Sequence, residues 1–187
     1  MNSFNLKLLE LIQNGRKSGL TFAPESGSQR MRDIINKNIK EDEMLDCIRM
    51  AFGKGWERAK LYFMIGLPFE NRQDIVQIVE LIEKIIMAAK EKLGGKKFSR
   101  LNINISINVF CPKPFTPFQW VGLDKPEILY DKFNYILNNA PKRYVDIKWA
   151  DPNRGMVECA LSTGNQLVGD VIENGWRKGA KFDNWSF

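Results

Sequence analysis

Four strand-like runs alternate with helical segments along this chain, and that alternation limits its fold more than any other feature. The strands are "GLTFAP" (19–24), "RAKLYFMIG" (58–66), "LNINISINV" (101–109) and "YVDIKW" (144–149). Helical periodicity covers 4–14 and 72–92, and Asn71 stands where it can cap the second of these. Ser26-x-x-Gln29 starts a short helix through Ile35, and Asn38-x-x-Glu41 starts one that runs to Gly53 and Gly55. Asp124, Pro126 and Glu127 open a helix to Asn139. Asp151-Pro152 and Asn165 open two more, ending near Gly164 and Gly179. Strands separated by helices run parallel through right-handed crossovers, as a barrel or as an open doubly wound sheet. Four strands close no barrel. The leading helix, placed as though a strand preceded it, favours part of a larger one. The expected fold is α/β: half of a barrel of parallel strands with outer helices over 1–140, and a strand-helix-helix extension packed on it over 141–187.

The faces of the strands carry the next inference. "RAKLYFMIG" is apolar without clear alternation, as in a strand covered on both faces. Residues 101–109 alternate strictly, with Asn102, Asn104, Ser106 and Asn108 on one face. That face belongs either to an exposed antiparallel strand or to a polar interior that lines a ligand. The parallel pattern around it favours the interior and makes Asn104 and Ser106 candidate ligand contacts.

In parallel α/β sheets ligands gather outside the carboxyl ends of the strands. The first strand ends in Glu25-Ser26-Gly27, the second in Gly66-Leu67-Pro68, and the fourth beside Asp146, Lys148 and Asp151. Glu25 and Ser26 can accept hydrogen bonds from a ribose diol while Gly27 admits a close approach. A plain helix cap at Ser26 and a dipole-compensating charge at Glu25 fit equally well. Arg30 or Arg32 can meet a carboxylate or phosphate, or stand in solvent. Gly66 to Pro68 can offer backbone groups to a planar base or form a simple turn. After the third strand, "FCPKPFTPFQW" combines prolines with Phe110, Phe115, Phe118 and Trp120. It forms either a rigid wall of a substrate pocket, with Thr116, Gln119 and Trp120 facing substrate, or a plug for a barrel end.

Composition closes off several chemistries. The chain has 187 residues and no histidine, which removes the commonest general base and metal ligand. Cys47, Cys111 and Cys159 are too far apart in sequence for a zinc or redox motif, and their odd number argues against a disulfide framework. The net charge of +6 tolerates an anionic partner, but Lys and Arg are dispersed. Dispersed charge is weak support for nucleic-acid binding. No stretch reads as a membrane span or a signal peptide, so a cytoplasmic protein without a membrane partner is expected.

"GLTFAPESGSQRMRDIINKNI", "KLYFMIGLPFE", "FCPKPFTPFQW" and "NGWRKGAKFDNWSF" resemble, in order and spacing, the later half of the core of cobalamin-binding-type radical S-adenosylmethionine (SAM) proteins. The resemblance runs from about residue 16 to the end of the chain. It implies a partial TIM-like barrel, SAM, a [4Fe–4S] cluster and cobalamin, in an Fe–S oxidoreductase or transferase that cleaves SAM reductively to a 5′-deoxyadenosyl radical. It further implies SAM-ribose contacts at Glu25 and Ser26, a SAM-carboxylate contact at Arg30, and adenine contacts at Gly66 and Pro68. The chain departs from the family in lacking the cluster-binding Cys-x3-Cys-x2-Cys. It also has Phe115 and Ala150 where the family carries histidine. These departures make it, by expectation, an inactive carboxyl-terminal portion whose partner is the other half of the same protein. Pairing of two copies through the exposed edge at 19–24 is expected as well. Two other readings remain: a stand-alone half-barrel that binds nucleotide or RNA without catalysis, and an assembly protein that uses its edges and aromatic tail.

Overall fold

The computed structural model describes residues 19–180; the helix expected over 4–14 and the aromatic tail at 181–187 lie outside the described residues. Strands β1 (Leu20–Glu25), β2 (Arg58–Ile65), β3 (Asn102–Val109) and β4 (Val145–Trp149) form one sheet in the order β1-β2-β3-β4. Every neighbouring pair is parallel. Helices α1 (Gln29–Ile34) and α2 (Glu41–Gly53) connect β1 to β2, and α3 (Arg72–Lys92) connects β2 to β3. Helix α5 (Pro126–Asn139) connects β3 to β4, and α6 (Pro152–Thr163) and α7 (Val168–Arg177) follow. A four-residue helix α4 (Gly95–Phe98), unmarked by any sequence signal, sits between α3 and β3.

Spatial order equals chain order, so the sheet has no reversal of the kind a doubly wound fold requires. One large core forms between the sheet and a single layer of helices. Leu61, Phe63, Ile103, Ile105 and Ile107 of the strands meet Ile48 and Phe52 of α2, Ile78, Ile82 and Ile85 of α3, and Phe133 and Ile136 of α5. This is the geometry of part of an α/β barrel, with helices α6 and α7 at the carboxyl end.

The opposite face corrects one expectation and decides between two others. β2 is not covered on both sides: Arg58 and Lys60 are exposed, and Tyr62 and Met64 only half-buried. β3 pairs parallel on both edges, as the favoured of its two readings has it, and not as an antiparallel strand. The register aligns Lys60, Asn104 and Asp146 in one row and Tyr62, Ser106 and Lys148 in the next, giving a polar face half to fully open.

Helix starts follow the sequence only partly. Asn71 caps α3 in a capping box with Asp74, as its spacing suggests. The cap of α1 is Ser28, not Ser26. Neither Asn38 nor Asp124 caps a helix: Lys40 and Lys125 occupy those positions without side-chain bonds. Glu41, Asp42 and Glu43 instead complement the dipole of α2. Asp151 does cap α6, accepting from the Asn153 N–H at 3.0 Å. α7 begins at Val168, later than Asn165 suggests, because Asn165 supports a preceding turn through the Leu167 N–H. No helix among the described residues is long and apolar enough to cross a membrane.

Gly27 is needed for packing. A Cβ at this position would lie 2.2 Å from the Ile78 nitrogen and 2.3 Å from the Gln77 carbonyl carbon, both backbone atoms of α3. The β1–α1 turn can reach α3 only without a side chain here. Gly27→Ala should therefore lower stability by about 2 to 3 kcal/mol or more, read as the urea midpoint. An unchanged midpoint would contradict this close approach.

Candidate functional site

The turn after β1 is held by a dense set of polar contacts. Glu25 ends the strand in the left-handed region, with φ of 65°, and its carboxylate pairs with Lys37 at 3.0 Å. A non-glycine residue in this conformation stores strain that the surroundings must offset, and such strain concentrates at functional sites. Ser26 is buried, its Oγ accepting from the Ser28 N–H at 3.4 Å. Ser28 accepts from the Met31 N–H at 3.0 Å and donates to Asp74 Oδ1 at 2.6 Å. Arg30 pairs with the same Asp74 carboxylate and donates to the Phe69 carbonyl at 2.9 Å.

Arg32 is neither a solvent-facing residue nor a ligand arm. It is wholly buried and donates to the Ser26 and Gly27 carbonyls at 2.9 and 3.1 Å, with Glu41 at 3.4 Å. It clamps the turn from below. Asp74 clamps it from α3, and no local sequence signal connects Asp74 to this turn. Burial alone would raise the Asp74 carboxyl, but bonds from Arg30, Ser28 and Asn71 outweigh it and hold the group below the usual aspartate range.

The turn after β2 is fixed in a similar way. Gly66 has φ of 77°, and its N–H donates to Glu70 Oε2 at 2.9 Å. The same oxygen meets Lys132 of α5 at 2.6 Å, and Lys132 also meets Asp124 at 2.7 Å. Burial pushes the Glu70 carboxyl above the usual glutamate range, and Lys132 offsets only part of this. Burial works against the Lys132 charge too, but Glu70 and Asp124 prevail and raise its value. A cavity of about 630 Å³ lies between this loop and α5, lined in part by Pro68, Phe69, Asp124, Ile128 and Tyr135. Sequence reasoning missed the Glu70–Lys132–Asp124 cluster.

The remaining candidates divide. Asn104 and Ser106 lie on the open face, where the Asn104 amide donates to Asn102 Oδ1 at 2.6 Å. In the proline-rich loop, Thr116 donates to the Lys113 carbonyl at 2.7 Å and Gln119 accepts from the Phe115 N–H at 3.2 Å, so both serve the loop itself. Its aromatics separate: Phe110 and Phe118 pack edge-to-face, whereas Phe115 and Trp120 are 98% and 88% exposed. The three strand-end segments meet in a small second core of Met31, Leu67 and Phe110, with Met64 and Phe118 against it. Glu25, Ser26, Arg30, Gly66, Pro68 and the proline-rich loop therefore share one end of the sheet, while Asn104 and Ser106 lie along its open face.

A [4Fe–4S] cluster does not fit the residues present. Cys47 lies on α2, Cys111 after β3 and Cys159 on α6, and among the described residues no group of three or more Cys, His, Asp or Glu could hold a metal ion.

The sequence model of the Radical SAM superfamily matches residues 1–82, which include the β1–α1 and β2–α3 turns. "Uncharacterized protein MJ0966" of Methanocaldococcus jannaschii is 33% identical over 164 residues, 88% of this chain and 34% of that protein. "Uncharacterized methyltransferase PH0819" of Pyrococcus horikoshii is 28% identical over 85 residues, 46% of this chain and 18% of that protein. "Uncharacterized protein MJ1620" of Methanocaldococcus jannaschii is 26% identical over 118 residues, 63% of this chain and 21% of that protein. The chain thus spans about a third or less of the length of these curated relatives. None of these names mentions cobalamin.

The Asp74 contacts give a pH-dependent prediction. The folded-state pKa of Asp74 lies below its unfolded value, so its stabilisation is fully present above about pH 4. It is lost as pH falls through the lower folded-state value. Asp74→Asn should cost about 1 to 3 kcal/mol at pH 7 in urea unfolding, and the gap from wild type should close below about pH 4. A gap that stays constant into acid would show that charge on Asp74 is not what holds the turn.

Proposed function

We propose that this chain forms the part of a radical SAM barrel that receives SAM at the carboxyl ends of its strands, and that the cluster-binding cysteines of the working protein lie outside these 187 residues. The observation that carries this reading is the strained Glu25, set at the end of a parallel strand inside the residues that match the superfamily. Its carboxylate is suited to accept hydrogen bonds from the two ribose hydroxyls, and Lys37 holds it in place at 3.0 Å. Ser26 and Arg32 hold the turn that presents it. Arg30, already oriented by Asp74 and the Phe69 carbonyl, is within the same end of the sheet for the SAM carboxylate. Gly66 and Pro68 take the adenine, and Asn104 and Ser106 line the open face beneath it. Thr116, Gln119 and Trp120 belong to the loop that would meet substrate.

A cluster held elsewhere in the working protein would supply the electron that cleaves SAM; this chain supplies binding and orientation. The name of one relative makes methyl transfer the reaction class to test first in the whole protein. The outer edge of β1 has no strand partner among the described residues, so pairing there, with another segment of the same protein or a second copy, completes the reading.

Two measurements test it. Isothermal titration of the chain with SAM should give weak, saturable binding, and Glu25→Ala should weaken it about tenfold, or about 1.4 kcal/mol. Binding that is absent, or equal in Glu25→Ala, would overturn the reading. Sedimentation of the chain alone should detect concentration-dependent self-association, and a monomer at all concentrations would remove the edge-pairing part.

A further inference from the structure

The cations that are dispersed in sequence become one surface in the fold. In a parallel sheet every strand begins at the same pole, and the segments that enter β2, β3 and β4 each bring basic residues to it. Arg58 and Lys60 open β2. Lys96, Lys97 and Arg100 precede β3, and Arg143 precedes β4. Neighbouring contacts tie these segments together. The Asn102 N–H donates to the Glu57 carbonyl at 2.9 Å, the Ile103 N–H donates to the Tyr144 carbonyl at 2.7 Å, and the Phe98 and Tyr144 rings lie 4.7 Å apart. Arg58 and Arg100 line one depression of about 440 Å³ with Ser99, Asn102 and Asn104.

None of these six cations forms an ion pair among the described residues. Lys60 and Arg143 instead lie over the Tyr62 and Tyr144 rings, each at 4.7 Å. Of the nearby carboxylates, Glu91 is occupied by Arg49 and Lys92, which leaves Glu57 and Asp146 against six positive charges. At the opposite pole the charges are paired, Glu25 with Lys37 and both Glu70 and Asp124 with Lys132, so cations without an ion-pair partner distinguish the amino end.

We propose that this amino-end rim binds the phosphodiester backbone of a nucleic acid. From β2 to β4 the rim spans two strand spacings, about 10 Å, which suits consecutive phosphates of one strand better than a single anion. Guanidinium forks beside amide and hydroxyl donors match phosphate oxygens. A membrane surface is a poor fit, because the large exposed hydrophobics, Met87 apart, lie at the other pole or in the segment from α6 to α7. The inference does not depend on SAM binding at the carboxyl ends of the strands; Asn104, on the open face, is the one residue that borders both.

The test is fluorescence anisotropy of a labelled twelve-nucleotide oligouridylate with the chain at several KCl concentrations from about 50 mM upward. The double variant Arg58→Gln/Arg100→Gln should bind at least tenfold more weakly. Its slope of log K against log salt should be shallower by about 1.4, the value for two lost contacts on a single strand. Lys97→Gln should weaken binding in the same direction. Lys125→Gln, an exposed cation at the other pole, and Glu25→Ala should change it less than twofold. Unchanged melting temperatures would confirm that the variants fold. The proposal is overturned by no binding at low salt, by an equal loss in Lys125→Gln, or by polyglutamate binding as tightly as the RNA.

Discussion

One carboxylate, that of Asp74, fixes the geometry on which the ligand end depends. It receives the Ser28 hydroxyl, the Arg30 guanidinium and the Asn71 N–H, so a single group joins the β1–α1 turn to the start of α3. Gly27 lets that turn lie directly on the α3 backbone, and Arg32 ties its carbonyls from the other side. Glu25 stands in its left-handed conformation at the head of this clamped turn, paired with Lys37. The same turn is joined to the next one through the Arg30 bond to the Phe69 carbonyl. Two candidate ligand loops are thus bonded to each other, which is what a site needs if it is to orient a cofactor rather than merely contact it.

The sheet sets the second constraint. One face is closed by three helices over an apolar core, and the other carries asparagines, a serine, lysines and an aspartate in rows. A parallel sheet normally hides both faces. An open polar face is therefore best accounted for as the inner wall of a barrel of which these four strands form a part. Stability comes from the helix-covered side, and the open side is left available for chemistry. The two ends of the strands differ as well, with turns held by ion pairs at one pole and cations without an ion-pair partner at the other.

The alternation of elements, the parallel sheet, the capping of α3 by Asn71 and the polar row on β3 were legible in the sequence because each is a local pattern. What was not legible depends on contacts between distant residues. Ser28 and Asp74 are 46 positions apart, and Glu70 and Lys132 are 62 apart, so neither cluster leaves a signature in any short window. Arg32 reads like any surface arginine until the turn closes over it. The open face of β2 was hidden by Tyr62 and Met64, which are apolar in type yet lie on the polar side. The basic rim was obscured for a related reason: a scan along the chain finds isolated lysines and arginines, and only parallel strand order gathers them.

The central claim is that SAM lies at the carboxyl ends of the strands against the open face. Backbone amide shift mapping by nuclear magnetic resonance, with SAM added to the chain, tests this directly. The account predicts perturbations at Glu25 to Arg30, at Gly66 to Phe69 and at Ser106, with the helix-covered core and the rim around Arg58 and Arg100 unmoved. Shifts confined to that rim or to the outer helices, with Glu25 and Gly66 unaffected, would contradict it.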